Sequence, residues 1–185
     1  MASRRTMIVG VLAAAGLLAL VPFGCDERTR PGVQSVKIGG RWFHLELALD
    51  DRTRFKGLGG RSHIEADGGM LFVFPDAQPR AFVMRDCAIP IDIIYLDGTG
   101  RVVSMHAMQP DPPRTEAEQA LSPPVPGAPE WAWVNPTYEA RLTQYPSRFP
   151  TKFVIELRGG TLPGLKLKEG DRIDLPVADL RRQAR

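Results

Sequence analysis

Hydrophobic and polar positions alternate with period two over much of the chain, the pattern of strands with one buried face. Val36 and Ile38 lead into Gly39-Gly40, a hairpin-type turn. From Trp42 to Ala48, Phe43, Leu45 and Leu47 share one face, while Trp42, His44 and Glu46 share the other. Asp50 or Asp51 then caps a short helix through about Lys56, with Gly57 as its stop. Met70–Phe74 is a continuous apolar run ended by Pro75, and Ala81–Asp86 alternates again. Ile91–Leu96 is the strongest β run, closed by Asp97-Gly98-Thr99-Gly100, and Val102–Met105 returns from that turn. Lys152–Leu157 and Arg172–Leu175 read as late strands, with a weaker one at Leu165 and Leu167. The pattern predicts a mainly β (α+β) single domain, a compact antiparallel sheet or barrel-like fold with one short helix after the second strand.

Residues 110–150 interrupt this pattern. Gln109–Pro150 holds ten of the seventeen prolines together with Trp131, Trp133, Tyr138, Tyr145 and Phe149. Proline fixes φ and removes a donor, so no central strand runs here. Flexible linkers lack such aromatics, so the segment is expected to pack over the β core as a long Pro-rich insertion, a docked loop or a binding lid. The β-rich domain then spans 33–178, followed by a basic C-terminal tail at 179–185.

The N-terminus reads as an export signal. Arg4 and Arg5 precede the apolar run Met7–Phe23, and Gly24-Cys25 follows. The run's 17 residues span about 25 Å as a helix, short of a hydrocarbon core of ~30 Å. A cleaved signal peptide over 1–25 is therefore expected, with an uncleaved anchor as the alternative. Leu20-Val21-Pro22-Phe23-Gly24-Cys25 is similar to a lipobox, which makes Cys25 the lipidation site and 26–32 a tether. The expected localisation is export, with anchoring to a membrane that faces the periplasm or cell exterior. Residues 26–185 hold 22 basic and 21 acidic side chains, with no basic stripe, so nucleic-acid binding is not expected. A monomer is expected, with the membrane reached through lipid on Cys25.

Three motif blocks carry a family resemblance. They are Gly57-Leu58-Gly59-Gly60-Arg61, then Gly69-Met70-Leu71-Phe72-Val73-Phe74, then Phe82-Val83-Met84-Arg85-Asp86-Cys87-Ala88-Ile89-Pro90-Ile91-Asp92. A closing block, Val154-Ile155-Glu156-Leu157-Arg158-Gly159-Gly160, recurs later, with Gly170-Asp171 beyond it. In order and spacing the chain resembles domain-of-unknown-function family 192 of bacteria and archaea, over about 36–175 without the insertion. The resemblance implies a compact, mostly β, often exported domain and no particular reaction. Gly59, Val83, Asp86 and Cys87 stand where the family pattern has Met, Trp, Asn and Thr. If those positions line a pocket, it is less aromatic and more acidic here.

Asp92 stands out because its neighbours in Ile91–Leu96 are apolar. A carboxylate there must be exposed, or buried and paired, and Arg61 and Arg85 are the natural partners. Arg61, Arg85, Asp86 and Asp92 are thus the ligand-binding candidates, either as one polar cluster around a small polar ligand or as a structural salt bridge. His44, His63 and His106 are widely spaced, so no metal is expected, and no phosphate-loop or nucleophile-elbow motif implies a cofactor. A Cys87–His pair for nucleophilic catalysis is open but undemanded. Two functions follow. One is a membrane-anchored, non-catalytic cell-envelope domain binding a small polar ligand or partner protein. The other is an envelope enzyme acting on a polar or saccharide substrate through Asp86 and Asp92 as paired carboxylates.

Overall fold

A computed structural model describes residues 32–185. The apolar run, Cys25 and nearly all of the tether lie outside them. The elements in chain order are β1 (Val33–Ile38), β2 (Arg41–Ala48), α1 (Asp51–Lys56), β3 (Gly68–Gln78), β4 (Ala81–Val83), β5 (Ile91–Leu96), β6 (Val102–Met108), α2 (Pro136–Arg141), β7 (Gln144–Pro146), β8 (Thr151–Arg158), α3 (Leu162–Leu165) and α4 (Val177–Gln183).

Six strands form one sheet in the order β1-β2-β3-β8-β5-β6, and β4 pairs with β7 in a small second sheet. The β1–β2 hairpin turns at Gly39-Gly40, both at positive φ. At Gly39 a Cβ would fall 2.4 Å from the Leu165 carbonyl oxygen, so both backbone conformation and packing require glycine there. Asp50 caps α1 by accepting from the Thr53 amide at 2.9 Å, and Gly57 at φ 50° ends it. Placing α1 between β2 and β3 lets those strands pair in parallel, His44 against Gly68 through Ala48 against Phe72.

The sheet is therefore mixed and open, not a purely antiparallel or closed one. It is covered on both faces. One core gathers Phe43, Leu45, Leu71, Ile94, Phe153 and Ile155. The other gathers Met70, Phe72, Ile91, Ile93, Tyr95 and Val154. That is why β5 is buried at every position and lacks alternation: it lies inside the sheet with both faces dry.

Several boundaries differ from expectation. Pro75 does not end β3, which continues to Gln78 across a register shift after Val73. Leu165 and Leu167 form no strand: Leu162–Leu165 is helix α3, and Leu165 seals the first core. Arg172 makes only an isolated bridge with Arg101. Residues 179–185 are not a free basic tail. They belong largely to α4, whose Leu180 is fully buried in the first core while Arg181 and Arg182 stay outside.

The insertion is docked. Tyr138 is buried, β7 extends β4, and the Tyr95 hydroxyl donates to the Tyr145 carbonyl at 2.5 Å. The Ser104 hydroxyl donates to the Ser147 carbonyl at 2.9 Å. Proline removes donors from the ladder, so side-chain hydrogen bonds and one short edge pairing hold the segment instead.

Candidate functional site

The motif blocks converge in space. The Gly60 amide donates to the Asp86 carbonyl at 2.9 Å, which stitches the Gly57–Arg61 loop to the turn at Met84–Cys87. Phe72 and Phe74 project from β3 toward the same side, and β8 runs beneath them. Between these parts and the insertion's Trp131 lies a cleft of about 770 Å³. That volume lies within the range of small-molecule sites, ~300–1,000 Å³.

Its walls are aromatic. Phe82 meets Phe72 edge-on at 5.1 Å between ring centres and Phe74 at 6.4 Å. Phe55 meets Trp131 at 5.8 Å. Cations stack on these rings: the Arg85 guanidinium sits 4.3 Å from the Phe55 centre, and that of Arg80 sits 3.6 Å from Phe74.

Glu156 also lines the cleft. It alternates with Ile155 and Leu157 on β8, so its side chain shares a face with Val154, opposite Met70 and Ile93 in register. It is 5% exposed. Removal from water drives its carboxyl up to about 8, against opposing pulls from the Leu58 amide and the Arg61 charge. At neutral pH the group holds its proton. Its Oε2 has no hydrogen-bond partner, and among the described residues the other such buried side-chain atom is Nε of Arg80, which also lines the cleft. A buried polar atom without a partner costs free energy, and both of these belong to residues that border the cleft. Gly57 lies over Glu156: a Cβ there would sit 3.7 Å from Oε2 and 3.4 Å from Phe72.

The four expected residues do not form one cluster. Arg61 donates twice to Glu46, at 2.6 and 2.7 Å. Arg85 donates twice to Glu139 of α2, at 2.6 and 2.7 Å, and of the four it alone lines the cleft. Asp86 is held by Arg114 at 2.7 and 3.0 Å, which lowers its carboxyl below the usual range. It occupies the left-handed region at φ 53°, and its amide donates to the Tyr138 hydroxyl at 2.9 Å. A short polar side chain tolerates that conformation, so Asp86 serves the turn and pins the insertion. Of the two alternatives for Asp92, exposed or buried and paired, the structure has the buried one, yet its partner is not an arginine. It shares a face with Ile94 and Leu96, in the first core, and accepts from the Leu162 amide at 2.7 Å. Asp86 and Asp92 are thus engaged separately and make no carboxylate pair.

Cys87 borders the cleft, but burial pushes its thiol up to about 12, which favours the thiol over the thiolate at neutral pH. His106 contacts the Pro146 carbonyl at 2.9 Å and His63 lies 3.4 Å from Glu65, so neither pairs with Cys87. Glu156 escaped the sequence reading because it stood inside a motif block. The signal that exposed Asp92, a charge within an apolar strand, was present there too.

Fold and site together define a single-domain mixed-sheet protein with an aromatic cleft over a neutral, buried carboxyl group. A family model described as "Uncharacterized ACR", domain of unknown function 192, matches residues 34–130, and the chain belongs to that family. Two crystal structures are similar. One, from Sinorhizobium meliloti 1021, is described as a candidate transcription regulator; it is 26% identical, with a TM-score of 0.54, over 77% of this chain and 90% of that one. The other, a protein of unknown function from Novosphingobium aromaticivorans, is 23% identical, with a TM-score of 0.56, over 77% of this chain and 85% of that one. None of the curated proteins compared with it matches.

Proposed function

We propose that this is an exported, lipid-anchored envelope protein whose cleft binds a small ligand and leaves it chemically unchanged. The observation that carries the binding reading is Glu156: a neutral buried carboxyl with an unpartnered oxygen at the wall of an aromatic cleft. Aromatic walls that carry a few polar groups, a neutral carboxyl and stacked guanidinium groups among them, suit recognition of a small molecule. Asp86, held by Arg114, and Asp92, held by the Leu162 amide, are engaged apart from each other, which speaks against turnover by that carboxylate pair. Export and anchoring rest on the Met7–Phe23 run and Gly24-Cys25. The transcription-regulator description of the Sinorhizobium structure is not adopted, since residues 26–185 carry a near-zero net charge and a DNA-binding face needs concentrated cations.

Amide NMR of the protein against a library of small aromatic acids, amides and amines tests the binding reading. Shifts should concentrate at Gly57–Gly59, Phe72–Phe74 and Arg85–Cys87. Shifts confined to other surfaces, or none at all, would refute it.

A further inference from the structure

The cleft has two chemically distinct ends. At one end Gly57 lies between the Phe72 ring and Glu156 Oε2, a Cβ there falling 3.4 and 3.7 Å from them, while Phe74, two residues further along β3, carries Arg80 against its ring. Two residues of strand span about 7 Å. Between the ends, Phe72, Phe82 and Phe74 follow one another at 5.1 and 6.4 Å. At the Phe74 end the Arg54 guanidinium also faces the ring, at 5.3 Å, so two like charges share one site. Arg54 is spent on Asp51 and on the Val73 and Arg185 carbonyls. Arg80 is bound to Asp76 through one terminal nitrogen, and its Nε is free of any partner. At the other end Glu156 Oε2 is buried and has no hydrogen-bond partner, against the cleft wall at Gly57 and Phe72.

Resting on the small-ligand reading above, we infer that the cleft takes an elongated amphiphilic carboxylate: a flat apolar body along the phenylalanines, its carboxylate at Arg80, and a hydroxyl or carbonyl at Glu156. The guanidinium supplies a charge-assisted donor for the anion. The protonated carboxyl supplies one donor and one acceptor, which a neutral polar group satisfies and a second anion does not. The ring edges pack against an aromatic body in the edge-on manner they already show among themselves. A ligand that covers a single phenylalanine ring reaches only one end.

Titration calorimetry on the full chain tests this with 4′-hydroxybiphenyl-4-carboxylate as probe. Three analogues accompany it: biphenyl-4-carboxylate without the hydroxyl, 4′-hydroxybiphenyl-4-carboxamide without the charge, and 4-hydroxybenzoate at half the length. The probe should bind about tenfold or more tightly than each analogue, the loss expected when one strong hydrogen bond goes missing. Arg80→Met should erase the preference for carboxylate over carboxamide, and Glu156→Leu the preference for the hydroxyl. Equal binding of probe and carboxamide, equal binding of probe and 4-hydroxybenzoate, or unaltered preferences in both variants would overturn the inference. The wild-type series decides the matter even if a variant fails to fold. Should the carboxamide shift cleft amides while the carboxylate does not bind, the ligand class falls and the cleft reading stands. Should no compound shift them, both fall.

Discussion

Asp92 and Glu156 show how two acidic residues in neighbouring strands come to opposite roles. They are near neighbours in the sheet, since Asp92 pairs with Leu157 and Ile93 with Glu156. One residue of offset turns them to opposite faces. Asp92 meets a backbone amide and is satisfied, whereas Glu156 meets the cleft. Asp92→Ala should strand the Leu162 amide and open a small void, costing about 1–3 kcal/mol in urea unfolding. Asp92→Asn, which keeps an acceptor, should cost less. A change under ~0.5 kcal/mol for Asp92→Ala would show that the contact to Leu162 adds nothing. The burial of Asp92 was legible from its apolar neighbours. Its partner was not, because a backbone amide leaves no mark in a side-chain pattern, whereas Arg61 and Arg85 stand out in the motif blocks.

At the scale of elements, α1 was readable in place and extent, with the cap left between Asp50 and Asp51: an acidic cap, an apolar Phe55 and a stop at Gly57 are all local signals. The strands β1, β2, β5 and β8 were readable for the same reason. The parallel pairing of β2 with β3 was not, since strand partners are fixed by tertiary packing rather than by local alternation. Leu180 shows a similar limit. One apolar residue among Asp179, Arg181 and Arg182 looks like a tail, yet it fills the first core. The insertion contributes the cleft wall at Trp131 and, through Glu139, the partner of Arg85. Replacing residues 112–141 with a short Gly/Ser linker keeps β7 and the six-stranded sheet, and loop length itself costs only ~0.6 kcal/mol per doubling. A cooperative but weakened unfolding transition is expected, together with loss of ligand-induced shifts at Arg85–Cys87. Loss of cooperativity would mean that Tyr138 and its neighbours belong to the folding core.

For the molecule as a whole, charge sets two expectations. Arg61 lowers the Glu46 carboxyl and Arg114 that of Asp86, so their stabilisation is present above the ordinary carboxylate range and lost as pH falls through the lowered values. Glu156 works in the reverse sense. Its folded value, about 8, lies above the ordinary 4.5, so the folded state keeps a proton that the unfolded chain releases. Stability from this group is full below about 4.5 and declines until about 8, by a few kcal/mol in total. Urea midpoints should therefore fall from pH 5 to pH 9 in the wild type and stay nearly level in Glu156→Gln; parallel profiles would contradict this. Anchoring is a second property of the entire chain: radiolabelled palmitate should enter the wild type but not Cys25→Ser, and equal labelling would exclude Cys25 as the acceptor. The cleft as a binding site depends above all on a Glu156 that is dry, neutral and unpartnered. The most direct test is the ¹³Cδ resonance of Glu156 followed against pH in the ligand-free protein, assigned by its disappearance in Glu156→Gln. A midpoint near 8 is predicted. A midpoint in the ordinary carboxylate range, around 4.5, would mean a hydrated or paired carboxylate and would contradict the site.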